Sequence, residues 1–238
     1  HLDTNGCTVG VVNGLAILQF ADFSFGRPLR ITAKTYQGKA GVINIEREAR
    51  LSGSTHSKGV LITSGFLGDR FAKKRPMSLT VSLTIEQSYA RIDGDSASLA
   101  GLCAILSSLA DAPMRQDLAM TGSLSQCGEV QAIGGVNEKI EGFFQVCNAR
   151  GLTGTQGVII PATNVRHLML APDVVDAVSK GLFHVYGVST VEEALLLLTG
   201  IPAGTPDNKG DYPQDTIFGR VAATLQKYAG KKSKKSDD

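Results

Sequence analysis

Apolar and polar residues alternate most regularly in Leu79–Glu86, where every second side chain is Leu, Val or Ile. A period of two is typical of a β-strand with one buried face. Similar patterns and short apolar runs predict the other strands. These cover Thr8–Phe20 (with a bulge or turn at Asn13-Gly14), Leu29–Tyr36, Val42–Glu46, Leu118–Thr121, Gly128–Ile133, Val158–Ile160 and Phe183–Val188.

Apolar residues at helical spacing predict two helices of particular interest. Ser96–Ala110 has no charged residue, so it should be a buried helix that stops at Asp111-Ala112-Pro113. Val136–Arg150 is amphipathic and ends before Gly151. Strands early in the chain and helices later favour an α+β fold. The other predicted helices are His56–Phe71, Val165–Leu170, Asp173–Lys180, Val191–Leu198 and Thr216–Tyr228.

The chain divides by composition into a main domain at residues 1–200 and an appendage at residues 201–238. Ile201–Pro213 is rich in Pro, Gly and Asp, which is typical of a linker. Thr216–Tyr228 then predicts a peripheral helix, and the charged tail Lys231–Asp238 should be disordered. The chain begins with His rather than Met, which we interpret as a fragment of a longer protein.

Composition excludes several functional classes. Of the 238 residues 42% are hydrophobic, enough for a core without disulfides, and the net charge of +2 gives no basic surface for nucleic acid. The four cysteines lie far apart without metal-site spacing, so we expect reduced thiols and no metal. His1, His167 and His184 belong to no catalytic pattern. Without a membrane-length apolar run or a signal peptide, a cytoplasmic location is expected.

One serine and one lysine occupy positions suited to hydrolysis. Ser96 opens the apolar helix, where free backbone N–H groups could stabilise an oxyanion. Lys139 lies at the edge of an apolar helix face, with Glu138 and Glu141 on the far side, so desolvation should lower its pKa. These are the minimum parts of a Ser–Lys hydrolase. Two simpler interpretations stay open: Asp95 or Ser96 only caps the helix, and the lysine extends its charge into solvent.

Several segments, in order, resemble the proteolytic domain of Lon, the ATP-dependent serine protease. They are Val9-Gly10-Val11-Val12-Asn13-Gly14-Leu15-Ala16, Gly94-Asp95-Ser96-Ala97-Ser98, Met120-Thr121-Gly122, Gly134-Gly135-Val136-Asn137-Glu138-Lys139, and Val158-Ile159-Ile160-Pro161 with Asn164. The serine segment is similar to that of the B type. Ile85-Glu86-Gln87-Ser88-Tyr89 and Asn137–Phe144 are most similar to the bacterial Lon-like ATP-dependent proteases related to the B type. The resemblance covers roughly Thr8 to Leu198. It implies a Lon-type proteolytic domain of mixed short sheets packed with helices.

The resemblance also implies roles for individual residues. Ser96 would be the nucleophile and Lys139 the general base of a serine endopeptidase that acts on unfolded proteins or peptides. Thr121 would supply a hydroxyl that hydrogen-bonds the lysine and orients it. In the supporting loop Asp93–Asp95, the carboxylate of Asp93 would approach the lysine in inactive forms or shape the oxyanion loop. A simple loop cap is an equally good interpretation of Asp93.

The sequence departs from the family at one position. Many Lon domains carry Gly-Glu near the start of the first long helix, and that glutamate contributes to the site. Here the segment Ser52–Gly59 has no carboxylate. His56 could take part of that role, or His56 and Lys58 could only shape the start of the helix. The third member of the site therefore stays open.

The sequence contains no Gly-x-x-x-x-Gly-Lys-Ser/Thr loop, so we expect no cofactor in this chain. The resemblance implies ATP only for an ATPase module upstream, outside this sequence. It also implies a homo-oligomer, a hexameric ring in the full-length protein, with no nucleic acid or membrane partner. The alternative is a catalytically silent Lon-like domain that serves ring assembly or DNA handling. A Ser–Lys hydrolase of small amides is a third interpretation.

Overall fold

The computed structural model describes residues 2–73 and 75–230 and has a mixed β-sheet at its centre. Its strands are β1 (Cys7–Thr8), β2 (Val11–Phe20), β3 (Phe23–Gln37), β4 (Gly41–Asn44), β5 (Leu79–Ile85), β6 (Met114–Arg115), β7 (Leu118–Met120), β8 (Ser123–Leu124), β9 (Val130–Gln131), β10 (Gly157–Pro161) and β11 (His184–Val188). The α-helices are α1 (Ile45–Glu48), α2 (Ser54–Phe71), α3 (Ser98–Ala110), α4 (Val136–Arg150), α5 (Pro172–Ser179), α6 (Val191–Thr199) and α7 (Ile217–Gly230), with a 3-10 helix at Ala162–His167.

Seven strands form the main sheet in the order β11-β10-β7-β2-β3-β5-β4. The long hairpin of β2 and β3 is antiparallel, whereas β7, β10 and β11 run parallel to one another and β7 also runs parallel to β2. Two small sheets, β1-β6 and β8-β9, complete the mixed arrangement. The predicted α+β class is therefore confirmed. The carboxyl end of β7 lies inside the sheet, where neighbouring helices can bring side chains together.

Asn13-Gly14, for which a bulge or turn was predicted, lies inside a continuous strand. The Asn13 side chain is fully buried, and its amide donates to the carbonyls of Asp3 and Gln116 at 2.9 and 2.8 Å. These bonds satisfy the side-chain N–H groups, which would otherwise be costly to bury, while Oδ1 has no hydrogen-bond partner among the described residues. The expectation of a break was wrong because the partners of this asparagine come from distant segments, which the local pattern does not reveal.

Helix α3 forms the middle of the larger core. Every one of its residues except Ser108 is buried, as the uncharged sequence predicts. It packs between β3 of the sheet, α2 and α7. A smaller second core lies on the other side of the sheet around the apolar face of α4, including Ile140 and Phe143. The helix that follows the candidate serine and the helix that carries the candidate lysine are thus anchored in separate apolar clusters, with the sheet between them.

Helix α7 is built into the larger core, which differs from the expected peripheral position. Ile217, Phe218 and Val221 are fully buried, and the ring of Phe218 meets those of Phe66 and Tyr212 at centroid distances of 6.4 and 5.3 Å. Its apolar spacing predicted the helix but not its partner, because that partner, α3, lies about a hundred residues earlier in the chain. The domain boundary at residue 200 stays a prediction. The predicted disordered tail Lys231–Asp238 lies outside the described residues.

Two further expectations concerned the state of the cysteines and the presence of a membrane-spanning helix. Cys7 and Cys127 are exposed free thiols, and Cys103 and Cys147 are buried free thiols. Burial raises the pKa of Cys147 to about 12, so this thiol stays protonated at neutral pH. In the described part of the chain, no helix combines the length and apolar character needed to cross a bilayer.

We expect Phe218→Ala to lower the free energy of unfolding by about 3–5 kcal/mol, because the truncation leaves a cavity among buried rings. Urea denaturation followed by circular dichroism measures this change. Leu196→Ala, at a side chain that is 50% exposed on α6, is the control and should change stability by less than about 0.5 kcal/mol. A similar small loss for Phe218→Ala would mean that α7 is not part of the cooperative core.

Candidate active site

The loop between β5 and α3 places Ser96 at the carboxyl end of β7. The carbonyl of Ser96 accepts a hydrogen bond from the N–H of Gly122 at 2.9 Å and from the hydroxyl of Thr121 at 3.2 Å. Helix α3 begins at Ser98, two residues later than predicted, with Ala97 as the N-cap residue and no side chain capping it. The interpretation of Asp95 or Ser96 as a helix cap was therefore wrong. The Ser96 hydroxyl is left available for another partner.

That partner is Lys139, in the first turn of α4. Its Nζ lies 2.9 Å from Ser96 Oγ and 3.2 Å from Thr121 Oγ1, and its side chain is buried, with 4% exposed. Val136 and Ile140, on the same helix, are buried beside it. The lysine does not extend its charge into solvent, so that alternative was wrong. The structure thus brings together the three residues that the sequence places 25 and 18 positions apart.

The surroundings of Lys139 favour its neutral amine. Burial lowers the pKa of Lys139 from 10.5 to about 8, because the low-dielectric interior solvates an ammonium group poorly. The charges of Asp95 and Glu138 oppose this effect but do not cancel it. The two hydrogen-bond partners of Nζ are neutral hydroxyls, which orient the amine without the charge of a carboxylate. A lysine in this state has a substantial neutral fraction near physiological pH.

Asp93 caps helix α2. Its Oδ1 accepts hydrogen bonds from the backbone N–H groups of Thr55, His56 and Gly94 at 3.1, 3.2 and 2.8 Å. These bonds hold the pKa of Asp93 below its usual range, with the Gly94 bond the largest cause and the His56 bond next. The geometry matches the cap, and the bond from the Gly94 N–H also ties the same carboxylate to the loop before the serine. The carboxylate is engaged by α2, so in this conformation it does not bind Lys139.

The other two residues of the supporting loop are also fixed. Gly94 has φ +92°, in the region that favours glycine, so a side chain here would strain the loop two residues before the serine. The Oδ2 of Asp95 accepts a hydrogen bond from the hydroxyl of Ser123 at 2.8 Å. Ser123 was not among the predicted site residues. Its one signal is a hydroxyl among other small and polar residues, which does not by itself indicate a partner.

His56, at the position where the expected carboxylate is missing, is buried in the first turn of α2. Its Nε2 lies 3.2 Å from the side-chain amide of Asn44. Burial lowers the pKa of His56, and Glu46, the Gly94 backbone and Asp93 partly oppose this effect. His56 therefore stays neutral at physiological pH. The segment Ser52–Gly59 therefore supplies an imidazole that faces the serine loop. Neither of the two interpretations of His56 stated such an arrangement.

The other histidines lie away from Ser96. The ring of His184 contacts the carbonyl of Gly154 at 2.9 Å, and His167 ends the 3-10 helix. His1 lies outside the described residues. Among residues 2–73 and 75–230, no group of three or more His, Cys, Asp and Glu side chains is arranged to hold a metal ion.

We expect Lys139→Met to stabilise the fold at pH 7. Below pH 8 the lysine is charged in both the folded and unfolded states, so the folded state carries the full cost of the buried charge. Between pH 8 and 10.5 the folded state loses its proton first, and the free energy of unfolding of the parent chain rises by about 3 kcal/mol. The Met variant should lack this rise, so its advantage is largest at pH 7 and shrinks above pH 8.

Urea denaturation at several pH values measures the difference between the two chains. Lys180→Met, at an exposed lysine paired with Asp176, is the matched control and should follow the parent at every pH. Parallel pH curves for the parent and Lys139→Met would contradict a lowered lysine pKa.

Comparison with known proteins identifies related chains over most of this length. Residues 4–199 match the model of the Lon protease (S16) C-terminal proteolytic domain. A Lon protease homolog of Escherichia coli K12 is 46% identical over 228 residues, which cover 94% of this chain and 38% of the relative. A Lon protease homolog of Haemophilus influenzae is 43% identical, covering 91% and 36%. The archaeal Lon protease of Thermococcus kodakarensis is 30% identical, covering 82% and 28%.

The chain thus spans less than two fifths of the length of these relatives, as one part of proteins that carry the Lon name. The matched region includes β2, the serine loop, β7 and α4. These elements place the hydroxyls of Ser96 and Thr121 around the amine of Lys139. From the family match and the identity over most of its length, the chain belongs to the family of Lon protease C-terminal proteolytic domains.

Proposed function

We propose that this chain is a serine endopeptidase domain that uses Ser96 and Lys139 as a catalytic dyad. The observation that carries the proposal is the 2.9 Å contact between the lysine Nζ and the serine Oγ, made by an amine whose pKa is lowered to about 8. A serine hydroxyl becomes a strong nucleophile only when a nearby base removes its proton. A buried, partly neutral lysine at hydrogen-bond distance meets that need.

The reaction then follows in two stages. Ser96 Oγ attacks the carbonyl carbon of the scissile peptide bond while Lys139 Nζ accepts the hydroxyl proton. The tetrahedral intermediate collapses, the C–N bond breaks, and the ammonium group returns the proton to the leaving amine. Water, activated by the same amine, hydrolyses the resulting ester and restores the serine. Thr121 accepts a hydrogen bond from Nζ and donates one to the Ser96 carbonyl, so it orients both partners.

The oxyanion of the intermediate needs hydrogen-bond donors beside the serine. Among the described residues, the backbone N–H groups of Asp95 and Ser96 have no acceptor. Both lie just before the N-terminus of α3, where the helix dipole adds positive potential. We assign these two groups to the oxyanion hole. The cap of α2 by Asp93 and the bond from Ser123 to Asp95 hold them in place.

Our proposals about the substrate, the oligomeric ring and the source of energy concern the whole protein. We propose that the domain cleaves unfolded polypeptides inside a hexameric ring in the cytoplasm, and that an ATPase module elsewhere in the longer protein delivers them. The Lon names of the relatives support this view for those proteins. A domain used only for ring assembly or DNA handling would not need an amine at hydrogen-bond distance from the serine, so we do not favour that alternative.

We expect Ser96→Ala and Lys139→Met to reduce cleavage of casein or a fluorogenic peptide by about a thousandfold or more, since each removes one half of the dyad. The measurement uses the intact protein that contains this chain. Ser179→Ala and Lys180→Met, adjacent exposed residues of the same types, are the controls and should retain parental turnover. Unchanged turnover in either dyad variant would rule out the proposal.

The pH profile is a separate prediction. Because the base must be neutral, kcat/KM should rise with pH to a plateau, with a midpoint near 8. At pH 7 about a tenth of the enzyme would carry the neutral amine. A peptide substrate without ionisable groups, measured from pH 6 to 10, gives this profile. A profile that falls between pH 7 and 9 would contradict a lysine base.

Thr121→Val should lower kcat about tenfold with little change in KM, because the isosteric side chain removes one of the two partners that orient the amine. Thr153→Val, at an exposed threonine distant in sequence from the site, is the control. Parental kcat in Thr121→Val would mean that Ser96 alone fixes the amine.

A further inference from the structure

The long hairpin of β2 and β3 ends in a group of large apolar side chains, Leu18, Phe20, Phe23 and Phe25, which we call the tip patch. Phe20 and Phe23 lie opposite each other across the hairpin and are 79% and 68% exposed. Leu18 lies opposite Phe25, whose ring centroid is 6.2 Å from that of Phe23. The segment from Leu18 to Phe25 has one charged residue, Asp22. A contiguous exposed apolar patch of this kind is typical of an interaction site.

The tip patch lies on the side of the sheet that carries α3. Ala16 packs against the larger core, and the patch continues this face of β2 at every second residue. Near the end of α3, Ser107 accepts a hydrogen bond from the N–H of Gly10, just before β2 begins. At the other end of α3, the N–H of Leu99 donates to the carbonyl of Gly122, just after β7. Because β7 runs parallel to β2, α3 runs antiparallel to it, and the serine loop lies at the end of α3 nearer to the patch.

One edge of β2 is open between the candidate active site and the tip patch. β7 ends at Met120, opposite Gly14, whereas β2 continues to Phe20. Odd-numbered residues of β2 direct their backbone groups away from β3, because alternate residues of an antiparallel strand bond to its partner. In the part of the chain that the structure describes, no strand pairs with β2 on this side beyond Gly14. The N–H and C=O groups of Ile17 and Gln19 therefore form an open edge.

The same hairpin lies directly against the turn that carries Lys139. Gly26 is opposite Ile17, and a side chain at position 26 would overlap the carbonyl of Glu138 and lie 2.7 Å from the Cα of Lys139. The far end of the patch is six residues past the end of β7, which is about 20 Å along the strand. A chain bound in extended form along the open edge, with its scissile bond at Ser96, would place side chains about three to six residues from that bond on the patch.

We propose that the tip patch is a binding subsite for large apolar side chains of an unfolded polypeptide that lies in extended form along the open edge of β2. The inference rests on the proposed function, because the bound polypeptide is the substrate of the same site. An extended chain matches both features, since its backbone pairs with an open edge and its alternate side chains contact an apolar face. A folded second copy of this chain would cover the patch without any need for an open edge that leads to Ser96.

The double variant Phe20→Ser/Phe23→Ser of the intact protein tests the subsite. For a fluorogenic peptide of about twelve residues, with Phe and Leu three to six positions from the cleaved bond, we expect KM to rise about tenfold while kcat stays within about twofold. A peptide of about four residues cannot reach the patch, so its KM should not change. The long peptide with Ser in place of Phe and Leu should also show no difference between variant and parent. Met169→Ser, at a side chain that is 84% exposed outside the patch, is the control and should match the parent throughout.

Binding is measured separately from cleavage in the Ser96→Ala background. The dissociation constant of the fluorescein-labelled long peptide, from fluorescence anisotropy, should rise about tenfold when the two Phe→Ser changes are added. An unchanged dissociation constant, or an equal rise in KM for the short and long peptides, would overturn the proposal. A smaller native mass of the double variant with parental peptide binding would also overturn it and assign the patch to a second copy. If Ser96→Ala still cleaves peptides, the proposed function fails, whereas an inactive Ser96→Ala with unchanged peptide binding overturns the subsite alone.

Discussion

The burial of one ammonium group without a carboxylate partner governs the rest of the site. Lys139 is held in the second core by the apolar face of α4, and its Nζ reaches across to two hydroxyls at the end of β7 and in the serine loop. The cost of desolvating a charge lowers the basicity of the amine until part of it is neutral near physiological pH, and only the neutral amine can accept a proton. A carboxylate paired with Lys139 would offset the cost of burying its charge, but it would keep the proton on the lysine.

The sheet makes this arrangement possible. β7 ends at Met120 in the interior of the sheet, so Thr121 and Gly122 lie where the chain can hydrogen-bond the serine loop on one side and the lysine on the other. Helices α3 and α4 belong to separate cores, and at the end of β7 the serine loop before α3 meets the first turn of α4. The geometry of the contact between Ser96 and Lys139 therefore depends on two separately packed clusters, and a local change in either could disturb it.

The sequence predicted the elements that bury apolar residues, and it predicted that Ser96 and Lys139 lie together. The alternation in β5 and the uncharged run in α3 are local signals, and the apolar face of α4 placed Lys139 at its edge before any contact was known. What it could not predict depends on partners far apart in the chain. The amide nitrogen of Asn13 donates to distant carbonyls, Asp95 accepts from Ser123, and His56 lies beside Asn44. None of these pairs leaves a periodic pattern.

Helix α7 shows that a family boundary and a physical boundary need not coincide. The matched region ends at residue 199, but α3 has its largest helix contact with α7. A recombinant piece trimmed at the family limit would uncover aromatic and aliphatic side chains on both surfaces. Such a piece would self-associate during expression. A loss of activity in it would then reflect poor solubility and not the chemistry of the site.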